Sequence, residues 1–353
     1  MAHTAEPRIT VGVDTHLDVH VAHACDQLGR RVDTVQVPTT PTGYHDLLAW
    51  ARGLGQIEAW GVEGTGSYGA ALARFLHAEG QAVLEVNRPD RQARRRRGKS
   101  DPLDAQAAAR AVQAGEVTVT PKAGNGHVEM LRSLRVARAT AMRARTQAIN
   151  ALRALLVTAP AELREQLRGR SAAALVRTAA ALEPGPIASP LAAAMLALRT
   201  LAGRHQALTA EISSLTTELD RLTRKAAPQL LALFGVGQDS AGALLVAAGD
   251  NPGRLRSDAA FSMLCGATPI EASSGKTTRH RLNRAGDRQA NAALYRIVLV
   301  RLRHDQATKD YMARRRKEGK SKKEIIRCLK RYVAREVFAV LNQMGRGNPI
   351  SAA

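Results

Sequence analysis

The apolar residues of this chain repeat with two different periods, and the change between them limits the folds that it can adopt. Over the first hundred residues, short runs with a period of two or a β-rich composition alternate with helical stretches. The runs lie at residues 9–14, 19–24, 31–37, 59–63 and 82–86, and the helical stretches at 44–51 and 70–79. Three strands in succession followed by β-α units predict an α/β fold, with a mixed sheet and an antiparallel hairpin at one side.

In the middle of the chain the period becomes three to four, which is typical of long amphipathic helices. Apolar residues recur at Leu131, Leu134, Ala137, Ala141, Ala144, Ala148, Leu152 and Leu155, and again at Leu208, Ile212, Leu215, Leu219 and Leu222. The run Glu183-Pro184-Gly185-Pro186 separates the two stretches. The spacing fits a coiled coil between chains and a helical bundle within one chain equally well.

A third region begins near Pro228. Gly235-Val236-Gly237 precedes a helical stretch, an arrangement found in helix-hairpin-helix modules, which hold a DNA phosphate at a helix N-terminus. A tight turn that serves only packing fits this short motif equally well. We therefore expect an α/β domain at 1–125, a helical linker and oligomerisation region at 126–227, and a mainly helical domain at 228–345.

Charge indicates the kind of partner. The chain has 52 Lys and Arg residues against 31 Asp and Glu, a formal net charge of +21. Because each neutralised phosphate releases counterions, this excess and the clustering of the arginines favour nucleic acid over a solvated or membrane-bound surface. Aromatic residues make up only 3%, which argues against a protein that stacks single-stranded bases.

Other features exclude further classes of protein. Within the 353 residues no run of about 18 apolar residues predicts a membrane span, and the first eight residues contain no apolar leader. Cys25, Cys265 and Cys328 are far apart, so they predict neither a zinc knuckle nor a redox motif. We expect a cytoplasmic protein associated with the nucleoid.

Four acids are candidate metal ligands. Asp14 and Glu63 end predicted strands, and Asp101 and Asp104 are three apart at a predicted helix start. Carboxylates at strand ends face the crevice where ligands usually bind, and hard oxygen ligands suit the divalent ions of phosphoryl transfer. A simpler interpretation stays open, because Asp-Pro-x-Asp is also a helix-start signature and Glu63 is also suited to a turn.

A basic tract immediately precedes the Asp pair. It contains Arg88, Arg91, Arg94, Arg95, Arg96, Arg97 and Lys99. Arginine binds phosphate in a bidentate way, so the tract predicts a backbone-binding segment beside the acids. The alternative is a solvated loop.

Four motifs in the N-terminal part resemble the IS110 family of bacterial transposases in order and spacing. They are Val11-Gly12-Val13-Asp14, Val62-Glu63-Gly64-Thr65-Gly66-Ser67-Tyr68, Val86-Asn87-Arg88-Pro89 and Gly98-Lys99-Ser100-Asp101-Pro102-Leu103-Asp104-Ala105. The resemblance implies a RuvC-like, RNase H-type fold whose D-E-D-D metal site is Asp14, Glu63, Asp101 and Asp104. Leu17 replaces a common family lysine, and Lys-Ser-Asp replaces Lys-Thr-Asp, but neither departure touches a metal ligand.

The C-terminal part is similar to the family's second domain. The matching motifs are Gly235-Val236-Gly237, residues 261–269, Ser273-Ser274-Gly275-Lys276 and Asn283-Arg284-Ala285-Gly286-Asp287. The resemblance implies that a serine of the Ser-Gly motif is the nucleophile on DNA, which is Ser274, with Ser273 as the competing assignment. Lys276, Arg279, Arg281 and Arg284 surround it as phosphate-binding candidates, and His280 is a candidate general base.

Taken together, the resemblance implies a transposase or site-specific recombinase that depends on Mg²⁺ or Mn²⁺. It would cut and rejoin duplex DNA of element ends and target through a phosphoserine link. The family further implies a guide RNA encoded by the element and a homo-oligomer with a site shared between subunits. A RuvC-like junction resolvase that uses metal-activated water is the alternative, and a non-catalytic nucleic-acid-binding descendant is a third hypothesis.

Overall fold

The computed structural model describes residues 7–86, 101–251, 253–276 and 280–347. The chain forms two compact units, each assembled from stretches that are separate in sequence. Unit 1 contains Met1–Val128, Ala247–Asn291 and Arg327–Ala353, and unit 2 contains Glu129–Val246 and Ala292–Ile326. The three consecutive domains expected from the sequence stay a prediction.

A mixed five-stranded sheet forms the centre of the N-terminal part of unit 1. Its strands are β1 (Arg8–Thr15), β2 (Val19–Asp26), β3 (Arg31–Pro38), β4 (Gln56–Glu63) and β5 (Val83–Val86). Their order is β3-β2-β1-β4-β5, in which β1, β2 and β3 pair antiparallel while β4 runs parallel to both β1 and β5. The predicted mixed sheet with antiparallel strands at one side is confirmed.

Within the described residues, three helices accompany this sheet: α1 (Pro41–Leu54), α2 (Ala70–Ala78) and α3 (Asp101–Gln113). Buried residues of α1 and α2, including Leu47 and Leu72, share one hydrophobic core with Val13 and Val62 of the strands. Side chains alternate along a strand, so the residues between these apolar positions point to the opposite face. That opposite face receives α3 and carries the candidate site.

Long helices fill the middle of the chain, as the apolar spacing predicts. They are α4 (His127–Thr158), α5 (Ala161–Leu167), α6 (Ala172–Ala180) and α7 (Pro190–Ala226). Leu152 of α4 and Leu198 of α7 are fully buried in one core with residues of α5 and α6. The C-terminal part of α4 and the N-terminal part of α7 therefore belong to a helical bundle within one chain. Leu208 and Ile212 of α7 keep partial exposure, and a coiled coil stays a prediction.

The remaining elements are mainly helical. They are α8 (Pro228–Leu231), α9 (Gln238–Ala248), α10 (Asp258–Leu264), β6 (Ile270–Glu271), β7 (His280–Arg281), α11 (Arg288–His304), α12 (Gln306–Lys317) and α13 (Lys322–Gly347). The Gly235-Val236-Gly237 turn separates α8 from α9, and Gly235 adopts a φ of +80°. Among the described residues, no helix is both long and apolar enough to cross a membrane.

Candidate metal centre

Two of the predicted acids lie at the carboxyl ends of neighbouring parallel strands. β1 and β4 pair in register up to Val13 and Val62, and Asp14 and Glu63 are the next residues along the two strands. Only 6% of Asp14 and 5% of Glu63 is exposed. Because a buried carboxylate is costly unless its charge is compensated, these two acids mark a candidate functional edge of the sheet.

Two glycines on the same face of these strands allow helix α3 to lie directly on the sheet. By the alternation of side chains, Gly12 and Gly61 share a face with the two acids. A Cβ at Gly12 would stand 2.0 Å from the carbonyl oxygen of Ala105, and one at Gly61 would stand 2.9 Å from that of Ala108. Both partners are backbone atoms, so a larger residue at either glycine would displace the helix.

Helix α3 brings the second pair of predicted acids to the same region. It begins at Asp101, and Asp104 follows in the first turn. Asp104 is buried, whereas the side chain of Asp101 is 47% exposed. The positive end of the helix dipole favours acids in this turn, so stabilising the helix start and binding a metal are compatible roles for the pair.

Thr15 holds the ends of β1 and β4 together beside the acids. Its Oγ1 donates a hydrogen bond of 3.0 Å to the carbonyl oxygen of Glu63. Gly64, at a φ of +61°, begins the turn that follows, and a Cβ there would stand 3.0 Å from Thr15 Oγ1. The backbone that carries Glu63 is therefore fixed relative to the backbone that carries Asp14.

His16 is a candidate site residue that the sequence did not predict. Its Nδ1 lies 3.7 Å from Asp14 Oδ2, and its Nε2 lies 3.8 Å from Asp101 Oδ1. One ligand atom from each of the three residues falls within 4.8 Å of the others, the spacing of a candidate metal cluster. The spacing Asp-x-His was the available signal, because it puts a second possible ligand directly after the end of the strand that carries Asp14.

The donor set fits a hard divalent cation. Among the described residues, Asp14 and Asp101 share one candidate cluster with His16, while Glu63 ends the neighbouring strand and Asp104 lies in the same helix turn as Asp101. Carboxylate oxygens are the ligands that Mg²⁺ and Mn²⁺ prefer. The imidazole of His16 is a softer donor, which suits Mn²⁺ better than Mg²⁺ or a place beside the ion. Burial of three acids with partial exposure of the fourth leaves one open side.

The predicted serine lies on a different element, a short hairpin of unit 1. Strands β6 and β7 pair antiparallel, with Ile270 opposite Arg281 and Glu271 opposite His280. Ser273 and Ser274 occupy the connection and are exposed, as is the adjacent Gly275, at a φ of +55°. The candidates Lys276, Arg281 and Arg284 are exposed as well.

The residues that flank this hairpin are firmly anchored. A Cβ at Gly286 would stand 2.2 Å from the backbone nitrogen of Gly266, so only glycine allows the two segments to meet. Asn291 Nδ2 donates to the carbonyl oxygens of Cys265, at 2.8 Å, and Gly266, at 3.1 Å. Lys330 Nζ in turn donates to Asn291 Oδ1 at 2.9 Å, and burial lowers the pKa of this lysine.

Cys265 belongs to the packing of this region. The residue is fully buried, and burial raises the pKa of its thiol to about 12. A thiol held so far from ionisation is a poor nucleophile, which leaves the serines as the exposed nucleophilic candidates of the hairpin. The basic tract Arg94 to Arg97 with Lys99, and Arg279, lie outside the described residues.

A mixed five-stranded sheet with acids at the ends of its parallel strands is consistent with an RNase H-like domain, a class that includes metal-dependent enzymes acting on nucleic acids. Models of protein families then identify the kind of enzyme. A DEDD transposase model of the IS110 type, described as "Transposase", matches residues 11–159, and one described as "Transposase IS116/IS110/IS902 family" matches residues 227–313. A search of curated proteins gave no match.

The chain therefore belongs to the IS110 family of transposases, and the resemblance seen in the sequence is confirmed. Membership supports a DNA-cleaving and DNA-transferring enzyme, with DNA as its partner and with use of a divalent metal. The first match spans all four acids and His16, and the second spans the serine hairpin.

Proposed function

We propose that this protein is a site-specific DNA recombinase of an insertion element, with Asp14, Glu63, Asp101 and Asp104 as its Mg²⁺ or Mn²⁺ ligands. The observation that carries the proposal is the cluster of Asp14, His16 and Asp101, beside which the buried Glu63 ends the neighbouring strand β4 and the buried Asp104 lies in the first turn of α3. A bound ion would neutralise charge that develops on a phosphate oxygen during phosphoryl transfer. Thr15 keeps the two strand ends in place, and the open side at Asp101 admits the DNA backbone.

Ser274 is the proposed nucleophile. Its Oγ attacks a backbone phosphorus, the Oγ–P bond forms, and the P–O bond to one deoxyribose breaks, so that this oxygen leaves as a hydroxyl. The reverse reaction with a hydroxyl of another strand rejoins the DNA and releases the serine. Exposure of the loop supports this role, and Lys276, Arg281 and Arg284 supply nearby positive charge.

A serine hydroxyl is a weak nucleophile unless a base removes its proton. His280 is the proposed acceptor of the serine proton. It lies on β7 of the same hairpin, directly opposite Glu271 of β6. Ser273 remains the competing nucleophile, since it is exposed next to Ser274. The Arg94 to Arg97 tract with Lys99, and Arg279, are proposed to bind the nucleic-acid backbone.

The turn before α9 is proposed to hold a further phosphate, as in a helix-hairpin-helix module. Asp239 in the first turn of α9 accepts hydrogen bonds from Arg135 at 2.9 Å and Arg138 at 2.6 Å, and Arg296 lies 2.8 Å away. Burial would raise the pKa of Asp239, but the three guanidiniums together hold it below its usual value. One carboxylate among three arginines leaves an excess of positive charge that suits an anion.

Two further parts of the proposal rest on family membership. The exposed stretch of α7 with Leu208 and Ile212 would pair with a second copy, so that subunits share a site. An RNA encoded by the element would choose the target, and copurification of a discrete RNA with the protein tests that part. The sites of action place the protein at the nucleoid.

The decisive experiment asks whether protein becomes covalently attached to DNA. Purified protein reacts with end-labelled element DNA and Mg²⁺, the mixture is denatured, and label that migrates with protein is measured. We expect an adduct from the wild type, none from Ser274→Ala, and normal DNA binding by that variant. Loss of the adduct in Ser273→Ala but not in Ser274→Ala would move the nucleophile by one residue.

The same assay decides between the recombinase and a junction resolvase. The acid centre alone also suits cleavage by metal-activated water, in which case both serines are dispensable. Efficient cleavage by wild type without an adduct, together with an active Ser274→Ala variant, would establish the resolvase and contradict our proposal.

A further inference from the structure

A second strongly basic surface lies within the described part of unit 2, beyond the end of the second family match at residue 313. Residues 314–323 contain seven Lys and Arg residues and a single acid, Glu318. The cations are residues 314–317 together with Lys320, Lys322 and Lys323. We call this segment the basic corner, because it joins the end of α12 to the start of α13.

The basic corner is an ordered structure. The amides of Gly319 and Lys320 donate to the carbonyl oxygens of Arg316, at 2.9 Å, and Arg315, at 3.1 Å, and Gly319 adopts a φ of +81°. Ser321 and Glu324 then form a capping box, in which the Ser321 amide donates to Glu324 Oε2 at 2.8 Å. The C-terminus of α12 and the N-terminus of α13 are therefore both capped, and the backbone that carries the cations is ordered.

Glu318 and the neighbouring Glu324 leave most of the positive charge of the basic corner uncompensated. Glu318 pairs with Arg315, and Glu324 serves the capping box. No ion pair involves Arg316, Lys317, Lys320, Lys322 or Lys323 within the described ranges. Exposed helices that serve solubility alone usually alternate charges of both signs, whereas like charges held close together repel.

Helix stability accounts for only some of these cations. Arg314 to Lys317 lie in the last turn of α12, where positive charge is favourable beside the negative end of the helix dipole. Lys322 and Lys323 lie in the first turn of α13, where the dipole opposes them. The two lysines are exposed and weaken the helix start that Ser321 and Glu324 strengthen, which points to an external anion.

We propose that the basic corner binds the phosphate backbone of duplex DNA, an inference that rests on DNA being the partner in the proposed function. Lysine binds phosphate as a point charge and suits backbone contact that does not depend on base sequence. Tyr311 lies on α12 just before the basic corner, and Arg314 and Arg315 already lie over its ring at 5.4 and 5.9 Å. Residues 314–323 themselves contain no aromatic side chain on which a base could stack, which favours a duplex over unpaired bases.

The test is binding of full-length protein to a labelled duplex in EDTA, so that the metal centre and the serine take no part. Lys322→Gln/Lys323→Gln is compared with wild type over a range of salt concentrations. We expect weaker binding and a salt slope smaller by about 0.9 for each phosphate that the variant no longer neutralises. The matched control is Arg199→Gln/Arg204→Gln on α7, which removes the same charge from an exposed surface and should keep the wild-type slope.

Thermal unfolding separates a DNA contact from a structural role. Replacing the two lysines relieves the unfavourable dipole interaction, so Lys322→Gln/Lys323→Gln should unfold at the wild-type temperature or above it. Lys322→Glu/Lys323→Glu should be more stable still and bind DNA most weakly. A stable variant with an unchanged salt slope overturns the proposal, as does an equal reduction of the slope in the control.

A structured RNA of similar length forms the second arm of the experiment. If the lysine variants lose affinity for RNA while duplex binding is unchanged, the assignment to DNA is wrong. The outcome is independent of the proposed chemistry. If the wild type forms the covalent adduct but the lysine variant keeps the wild-type salt slope, only the proposal for the basic corner is wrong. If the lysine variant has a smaller slope but the wild type forms no adduct, only the serine mechanism is wrong.

Discussion

The acid centre and the serine hairpin are built in opposite ways. Three of the four acids are buried, and backbone contacts at Gly12 and Gly61 fix the helix that carries two of the four. The serines stand in an exposed connection between strands of two residues each, and a Cβ at Gly275 would meet nothing within 4 Å. The fold therefore holds the proposed metal ligands in place in advance, whereas in our proposal bound DNA completes the surroundings of the serine.

Replacing one of the acids should have the largest effect on strand exchange. It should also distinguish the acid centre from the serine hairpin, because only the acid centre is proposed to bind the metal. Asp14→Asn should reduce strand exchange by about 10³-fold or more, because several kcal/mol of charge stabilisation disappear and about 1.4 kcal/mol is a factor of ten in rate. Mg²⁺ at 100 times its Kd should stabilise the wild type by about 2.7 kcal/mol, but not this variant. Excision assays and thermal unfolding with and without Mg²⁺ measure both.

Ser274→Ala is the matched control for that experiment. It should lose strand exchange while keeping the stabilisation by Mg²⁺, since none of the four proposed metal ligands lies on the hairpin. If Mg²⁺ stabilises Asp14→Asn as much as the wild type, the acids do not bind the ion, and the proposed difference between the acid centre and the serine hairpin is wrong.

Glycine substitutions should show the difference in packing. Gly12→Ala forces a Cβ against the backbone of α3 and should lower the free energy of unfolding by about 3 kcal/mol or more. Gly275→Ala meets open space and should cost only about 1 kcal/mol, for its left-handed backbone. Denaturant titration of both variants gives the two values, and equal values would mean that α3 does not depend on close approach to the sheet.

His16 should have a smaller effect than the acids. Its ring lies between Asp14 and Asp101 on the open side of the centre, so His16→Gln should weaken metal binding by about tenfold. Metal titration followed by calorimetry measures this change, with the exposed His77→Gln as the control. An affinity equal to that of wild type would leave His16 outside the metal site.

The smallest effect concerns acid stability of the sheet. Burial lowers the pKa of His20, whose ring stacks on Tyr44 with centroids 5.8 Å apart. The unfolded chain then binds the proton more readily than the folded one, so stability should fall as the pH drops below about 6.5. His20→Phe should reduce this loss in denaturant titrations at several pH values, and the exposed His304→Gln should not.

Much of the fold could be predicted because local patterns decided it. Short runs that either alternate with a period of two or are β-rich in composition placed all five strands of the sheet, and the three-four spacing placed α4 and α7. The antiparallel pairing of β1, β2 and β3 could be predicted because these three strands follow one another without an intervening helix. These features depend on side-chain alternation and turn residues, which act over short distances along the chain.

The candidate site was predicted less completely. Asp14, Glu63, Asp101 and Asp104 were predicted from their places at strand ends and a helix start and from the family motifs, whereas His16 belongs to none of those motifs. Its role depends on the 3.8 Å separation from Asp101, a residue 85 positions away. A periodic pattern in the sequence cannot predict this distance, because the distance depends on how α3 packs on the sheet.

The sequence by itself determined the secondary structure, the basic character, the four acids and the family of this protein. Only the tertiary structure decided that Gly12 and Gly61 seat α3 on the strands, that His16 lies between two acids, and that the serine stands in an exposed hairpin. The physical reason is close packing. Whether a helix approaches a sheet depends on atoms that meet in space, and residues distant in sequence supply those atoms together.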